Sequence, residues 1–189
     1  MIVKDKKEVV QLKYLNELTK SKENNLREVV KHALVMQQEE GKIIFTSDGR
    51  QARFMFVNYN LPDGLYKIIE EKNSCAIVPA QIEQDYPNVD FLVNWDKDPS
   101  YQKIGEYRQF DRNFVASKVV VDILKAFPEG EFIINAAYIY SIFKSSEKEF
   151  KLIHGDYSLP AYFNGRSHSI IFKGDKVISI VMVSPYRKY

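Results

Sequence analysis

His154, Asp156 and Ser158 stand at alternate positions in HGDYS and are the residue types of a base, an acid and a nucleophile. On an extended strand they would share one face. Successive same-face positions of a strand lie about 7 Å apart, too far for a proton relay, which needs hydrogen-bond reach at each step. The segment therefore reads as an exposed turn and the chain as a non-enzyme. The remaining catalytic reading is a small hydrolase built on His154, whose mark would be turnover abolished by His154→Ala. His32, in a strand-like run, and His168, in GRSHS, have no carboxylate or cysteine at ligand spacing and read as surface histidines. Cys75 is the only cysteine, so it can form no internal disulfide, and in NSCAIV it reads as a small buried hydrophobe. GKIIFTSDG lacks P-loop spacing and no GxGxxG occurs, so the sequence calls for no nucleotide, metal or other cofactor.

The stronger pattern is cationic. Lys13, Glu17 and Lys20 are matched by Lys118, Asp122 and Lys125: a lysine, an acid four residues on, and a lysine seven on, all on one face of a helix. Such a stripe suits weak contacts to phosphate. Solvated helix faces supported by i,i+4 pairs have the same pattern. Lys144 and Lys148, after a third helix, extend the phosphate reading. With 27 basic and 25 acidic residues, and a net charge of +2, the chain has no global basicity, so any nucleic-acid contact must come from local patterning.

The elements that would position these residues follow from periodicity. Apolar Val9, Leu12, Leu15 and Leu18 place a first amphipathic helix over 9–22, and FVASKVVVDILKAF places a second over 114–127, burying Val115, Val119, Val120, Ile123 and Leu124 before Pro128 stops it. Asn135 caps a third helix over 136–144. Strands are expected over 29–37, 42–45, 53–57, 65–69, 74–78, 131–134, 151–154, 159–163, 169–173 and 177–183, with Ser47-Asp48-Gly49 as a hairpin turn. The proline- and acid-rich YPNVDFLVNWDKDPSY reads as a linker, dividing the chain into domains 1–100 and 101–189. At 189 residues, with 45% hydrophobic and 13% aromatic residues, the chain is long enough for one ordinary domain or two small ones, and the order of elements makes an α+β protein of two small, similar domains the expectation. The N-terminus lacks a signal-peptide run and no stretch would span a bilayer, so a reducing cytoplasm is expected.

Two segments together resemble the bacterial β sliding clamp, the DNA polymerase III β subunit. The segment from Glu131 to Tyr189, with its Asn-started helix, closing strands and Ser184-Pro185-Tyr186-Arg187 tail, looks like the family's last half-domain. GKIIFTSDGRQARFMF resembles its strand, Thr-Asp-Gly turn and strand, and Tyr86-Pro87-Asn88-Val89 resembles its Phe-Pro-Asp segment. The resemblance implies a shortened or divergent clamp, of a phage-encoded kind, with helices on one face of antiparallel sheets. It implies a processivity factor that encircles duplex DNA without sequence preference, as a homo-oligomer of edge-paired subunits, a trimer before a dimer. It places Lys13, Lys20, Lys118, Lys125, Lys144 and Lys148 towards DNA. It also implies a groove for short linear motifs of polymerase and clamp loader, lined by Ser47, Gly49, Arg50, Gln51 and Ala52 facing Val183, Ser184, Pro185 and Tyr186. Arg50 stands where the family usually has His, Ala52 where it has Leu and Tyr186 where it has Met, so the motif it accepts would differ. The alternative is a monomeric relative that binds replication proteins as an adaptor or competitor without encircling DNA.

Overall fold

The structure is a computed structural model describing residues 1–20, 28–82, 84–130, 132–165 and 169–185. The chain divides into two compact units, Met1–Asn88 and Val89–Tyr189.

The first unit contains β1 (Ile2–Val3), α1 (Lys6–Thr19), β2 (Ala33–Gln38), β3 (Gly41–Ser47), β4 (Gln51–Val57), β5 (Gly64–Glu70) and β6 (Cys75–Pro79). The strands pair antiparallel in the order β1-β6-β5-β2-β3-β4. The carboxylate of Asp5 starts α1 by accepting from the Lys7 and Glu8 amides, both at 3.0 Å. Val9, Leu12, Leu15 and Leu18 are buried as the periodicity requires. Two residues directly opposite in the β3–β4 register, Thr46 and Arg53, tie the helix to the sheet. The Thr46 hydroxyl donates to the Leu15 carbonyl at 2.9 Å. The buried Arg53 guanidinium donates to the Tyr14 carbonyl and lies 3.6 Å from the centre of the Tyr14 ring.

The second unit contains α2 (Asp90–Val93), β7 (Gln102–Arg108), α3 (Val115–Ala126), β8 (Phe132–Ile133), α4 (Ala136–Phe143), α5 (Glu147–His154), β9 (Ser158–Phe163), β10 (Ser169–Lys173), β11 (Val177–Met182) and β12 (Ser184–Pro185). Its main sheet is antiparallel in the order β11-β10-β9-β7, and β12 pairs with β8 separately. Val115, Val119 and Ile123 of α3, Ile139, Ile142 and Phe143 of α4 and Phe150 of α5 pack on Tyr107, Leu159, Ala161, Phe163, Ile170, Phe172 and Val181, so these helices cover one face of the sheet. Each unit is thus α+β, with helices packed on one face of antiparallel strands, the expected fold class. Among the described residues no helix is long and apolar enough to cross a membrane.

Four local expectations are corrected. The run 29–37 begins as a single 3-10 turn, Glu28–Lys31, held by a 2.9 Å Lys31–Glu28 ion pair, and β2 starts at Ala33. The proposed linker is packed structure: Leu92, Val93 and Trp95 are buried, and the Trp95 ring lies 4.8 Å from that of Tyr162 on β9. Its buried residues lie in a four-residue helix and the 3-10 turn that follows it, both too short for composition to register. Residues 151–154 form the end of α5 instead of a strand. Ser146 accepts from the Glu149 amide at its start, and Gly155 at φ 91° ends it in a left-handed cap. Finally, Leu124 is exposed, on the far side of α3 from Val119 and Ile123.

Candidate DNA-facing lysines and partner-peptide segments

The residues considered first for catalysis do not converge. His154 is fully buried at the end of α5, its ring 4.6 Å from Phe150 and its Nδ1 3.4 Å from the Val177 carbonyl, so the expected exposed turn does not hold at this position. Gly155 reverses the chain there, Asp156 is exposed, and the Ser158 hydroxyl donates to Glu106 at 2.9 Å. His32 is also buried rather than superficial, with its Nδ1 3.1 Å from the Glu28 carbonyl. His168 lies outside the described residues. Cys75 is buried, and burial pushes its thiol pKa up, the environment of an inert core thiol.

The two lysine stripes have different surroundings. On α1, Lys13 Nζ donates to the Glu71 and Lys72 carbonyls in the turn between β5 and β6, at 2.7 and 3.3 Å. Lys20 pairs with Glu70 at 2.7 Å, and the acid between them in sequence, Glu17, reaches Arg53 at 3.1 Å. Glu70 is partly buried, which works to raise its pKa. Hydrogen bonds from Lys20 and Asn16 and the lysine charges outweigh that and hold it below the usual carboxylate range. The α1 stripe is therefore engaged with its own unit.

On α3, Lys118 and Lys125 project from the exposed side of the helix. Lys118 reaches Asp111 at 2.9 Å, and Lys125 approaches Asp122 at 3.6 Å. Asp122 also accepts the Tyr107 hydroxyl at 3.0 Å. Burial, reinforced by that carboxylate, raises the Tyr107 pKa well above its ordinary value. Each of these lysines makes one partly exposed pair, a weak contact that is readily exchanged, whereas the stripe on α1 also has Lys13 bonded to two backbone carbonyls. Lys144 follows α4, Lys148 lies in the first turn of α5, and both are exposed.

The segment expected to form one wall of a peptide groove is the β3–β4 turn. Ser47 Oγ donates to the Gln51 carbonyl at 2.8 Å, and Asp48 Oδ1 accepts from the Arg50 and Gln51 amides at 2.9 and 2.7 Å. Gly49 takes φ 82°, a conformation that suits glycine. The turn leaves Gly49 and Arg50 exposed and buries Ser47, Gln51 and Ala52. In the other expected wall, Val183 is buried in the core of the second unit. Ser184 and Pro185 pair with Ile133 and Phe132. Tyr186 lies outside the described residues.

Sequence reasoning passed over Arg108-Gln109-Phe110-Asp111-Arg112-Asn113-Phe114, in which arginine and phenylalanine alternate at every second position and all four are exposed. That alternation was a legible signal. It runs from the end of β7 to the expected start of the second helix at Phe114, so the periodicity of no single element contains it.

None of the family models and none of the curated proteins compared matches the sequence. Solved structures do match in fold. The β chain of DNA polymerase III from Streptococcus pneumoniae superposes with a TM-score of 0.58 at 9% identity, over 100% of this chain and 64% of that one. A sliding clamp from Pseudomonas aeruginosa gives 0.55 at 7% identity, over 100% and 66%. The β clamp from Helicobacter pylori, solved bound to a DNA ligase peptide, gives 0.53 at 9%, over 100% and 65%. Over its whole length, and across about two thirds of theirs, this chain has the fold of the bacterial DNA polymerase III β sliding clamps.

Proposed function

We propose that the protein is a reduced sliding clamp: a non-enzymatic tether that encircles duplex DNA as a homo-oligomer and holds replication proteins by short peptide motifs. The observation that carries this reading is the clamp fold extending over 100% of the chain. A clamp retains DNA by topology, so it needs few and mobile phosphate contacts, and a net charge of +2 is sufficient. The contacts proposed are Lys118, Lys125, Lys144 and Lys148 of the second unit. Lys13 and Lys20 serve first to hold α1 against the β5–β6 turn and contribute to the field at DNA only at longer range.

Assembly has a structural basis in β7. It is paired to β9 on one side and has no strand partner on the other among the described residues. Beside it, α3 exposes Val121 and Leu124. An open seven-residue edge flanked by apolar side chains is a hazard for a monomer and a natural joint between copies. Head-to-tail pairing of that edge with the first unit of the next copy would repeat until it closes, at three copies in the preferred reading and two in the other. Peptide capture is assigned to the first unit's β3–β4 turn, through the exposed Gly49 and Arg50. With Ser47, Gln51 and Ala52 buried, Arg50 would favour motifs carrying an acidic residue.

The test is solution mass by light scattering across a wide concentration range, followed by retention on nicked circular DNA before and after linearisation. A mass three times the 22.1 kDa of the chain, with retention lost on linearisation, is the expected result. A stable monomer that binds polymerase peptides and no DNA would replace this reading with the adaptor.

A further inference from the structure

We propose that the corner between β7 and α3 is a stacking site for unpaired, single-stranded nucleic acid, built by Arg108, Phe110, Arg112 and Phe114. This goes beyond duplex encirclement and does not depend on it. Phe110 and Phe114 are 66% and 68% exposed, the largest exposures among the large hydrophobic residues described. The fold holds them there. The Gln109 amide donates to the Tyr157 carbonyl at 2.9 Å, and its buried side chain donates to the Ser145 carbonyl. The Arg112 amide donates to the Gln109 carbonyl at 3.1 Å and the Phe114 amide to the Asp111 carbonyl at 2.8 Å. With Gln109 anchored inward, residues 108, 110, 112 and 114 are turned to solvent.

The chemistry of the corner selects its occupant. Two exposed rings call for a flat apolar surface, and their neighbours call for negative charge. The Arg108 guanidinium lies 5.7 Å from the centre of the Phe110 ring and acts on the Glu106 carboxylate only as a nearby charge, and neither Arg108 nor Arg112 forms an ion pair among the described residues. Across the Gln109–Tyr157 backbone bond stands a second ring and cation, with Lys151 Nζ 4.5 Å from the centre of the half-exposed Tyr157 ring. An apolar protein surface docked here would strip water from the guanidinium groups without neutralising them. A single strand offers a base face for each ring and a phosphate for each cation, the combination used for single strands without sequence preference. Paired bases in a duplex keep their faces inside the stack and cannot reach the rings.

The experiment is fluorescence anisotropy of the full chain with a labelled oligothymidylate of about twenty nucleotides and a duplex of equal length. Phe110→Ala/Phe114→Ala should weaken oligothymidylate binding about tenfold or more and leave duplex affinity unchanged. Phe110→Trp should keep the affinity, with its fluorescence quenched on binding against the buried Trp95, a response that a merely structural role would not give. Arg108→Gln/Arg112→Gln should flatten the salt dependence of single-strand binding by about 1.4 in log–log slope, as expected for two phosphates. Phe91→Ala, another exposed phenylalanine with no arginine over it, should change nothing. The proposal is overturned if the double alanine variant binds the single strand as the parent does, if the parent does not bind it at low salt, or if the variant instead alters the solution mass, which would make the rings a contact between copies. Failure of the clamp reading would show as a monomer without duplex retention and would leave these single-strand outcomes intact.

Discussion

The hydroxyl of Tyr86 is buried and has no hydrogen-bond partner among the described residues, while its ring meets Phe45 edge to face at 6.1 Å. The ring contributes packing and the oxygen contributes a desolvation cost, so Tyr86→Phe should stabilise the protein by about 1 kcal/mol. Urea unfolding checks this, and a lower midpoint would mean that the hydroxyl is satisfied after all. Burial also raises the pKa of Tyr59, Tyr86 and Tyr107, and acceptance of their hydroxyl protons by Glu8 and Asp122 adds to the effect for Tyr59 and Tyr107. For each of these groups the neutral form is favoured by folding. The stabilisation is therefore complete below the unfolded tyrosine pKa of about 10 and is lost as pH rises from there through the folded value. The thermal midpoint should hold to about pH 10 and fall above it. Tyr107→Phe, although less stable at neutral pH for want of the Asp122 bond, should show a shallower alkaline decline.

Helix α5 depends on both of its ends. It has only eight residues, and it is held by Ser146 at the start, Gly155 at the finish and the buried side chains of Phe150, Ile153 and His154. A Cβ at Gly155 would be placed 2.9 Å from the Asp175 Cβ, on backbone already at φ 91°. Gly155→Ala should then cost about 1–2 kcal/mol, read as a lowered thermal midpoint with Ser146→Ala, at about 1 kcal/mol, for comparison. The same helix shows where sequence reading stops. α1, α3 and α4 were legible because a helical apolar period ran long enough or a cap preceded it, and the β3–β4 hairpin was legible from Asp48-Gly49. In α5 the period covers barely two turns, and KLIH passes for a strand unless Ser146 and Gly155 are recognised as caps. The lysine stripes were legible as spacing. That Lys13 points to the Glu71 and Lys72 carbonyls while Lys118 lies at the surface depends on which strands lie beneath each helix, and no local pattern contains that.

For the molecule as a whole, a charge of +2 means that the DNA affinity of the proposed clamp would rest on a few lysines, and the two stripes make opposite predictions. Lys118 and Lys125 each make a single partly exposed pair, worth at most about 1 kcal/mol, so Lys118→Glu/Lys125→Glu should still fold, with a small loss of stability. If both meet phosphate, the variant should reduce the log–log salt slope of duplex binding by about 1.8 and weaken binding most at low salt. Lys20→Glu places a carboxylate against Glu70, whose lowered pKa depends on the cation now removed, so stability should fall while the duplex salt slope stays near the parent value. Measuring both variants by thermal unfolding and by duplex anisotropy over a salt series separates the roles, because the α3 pair should move chiefly the slope and Lys20→Glu chiefly the stability. If Lys20→Glu lowered the slope as much as the α3 pair did, α1 would also face the DNA and its internal ion pairs would be exchangeable. If neither variant moved the slope, the phosphate contacts would lie elsewhere, and the adaptor reading would gain what the clamp reading lost.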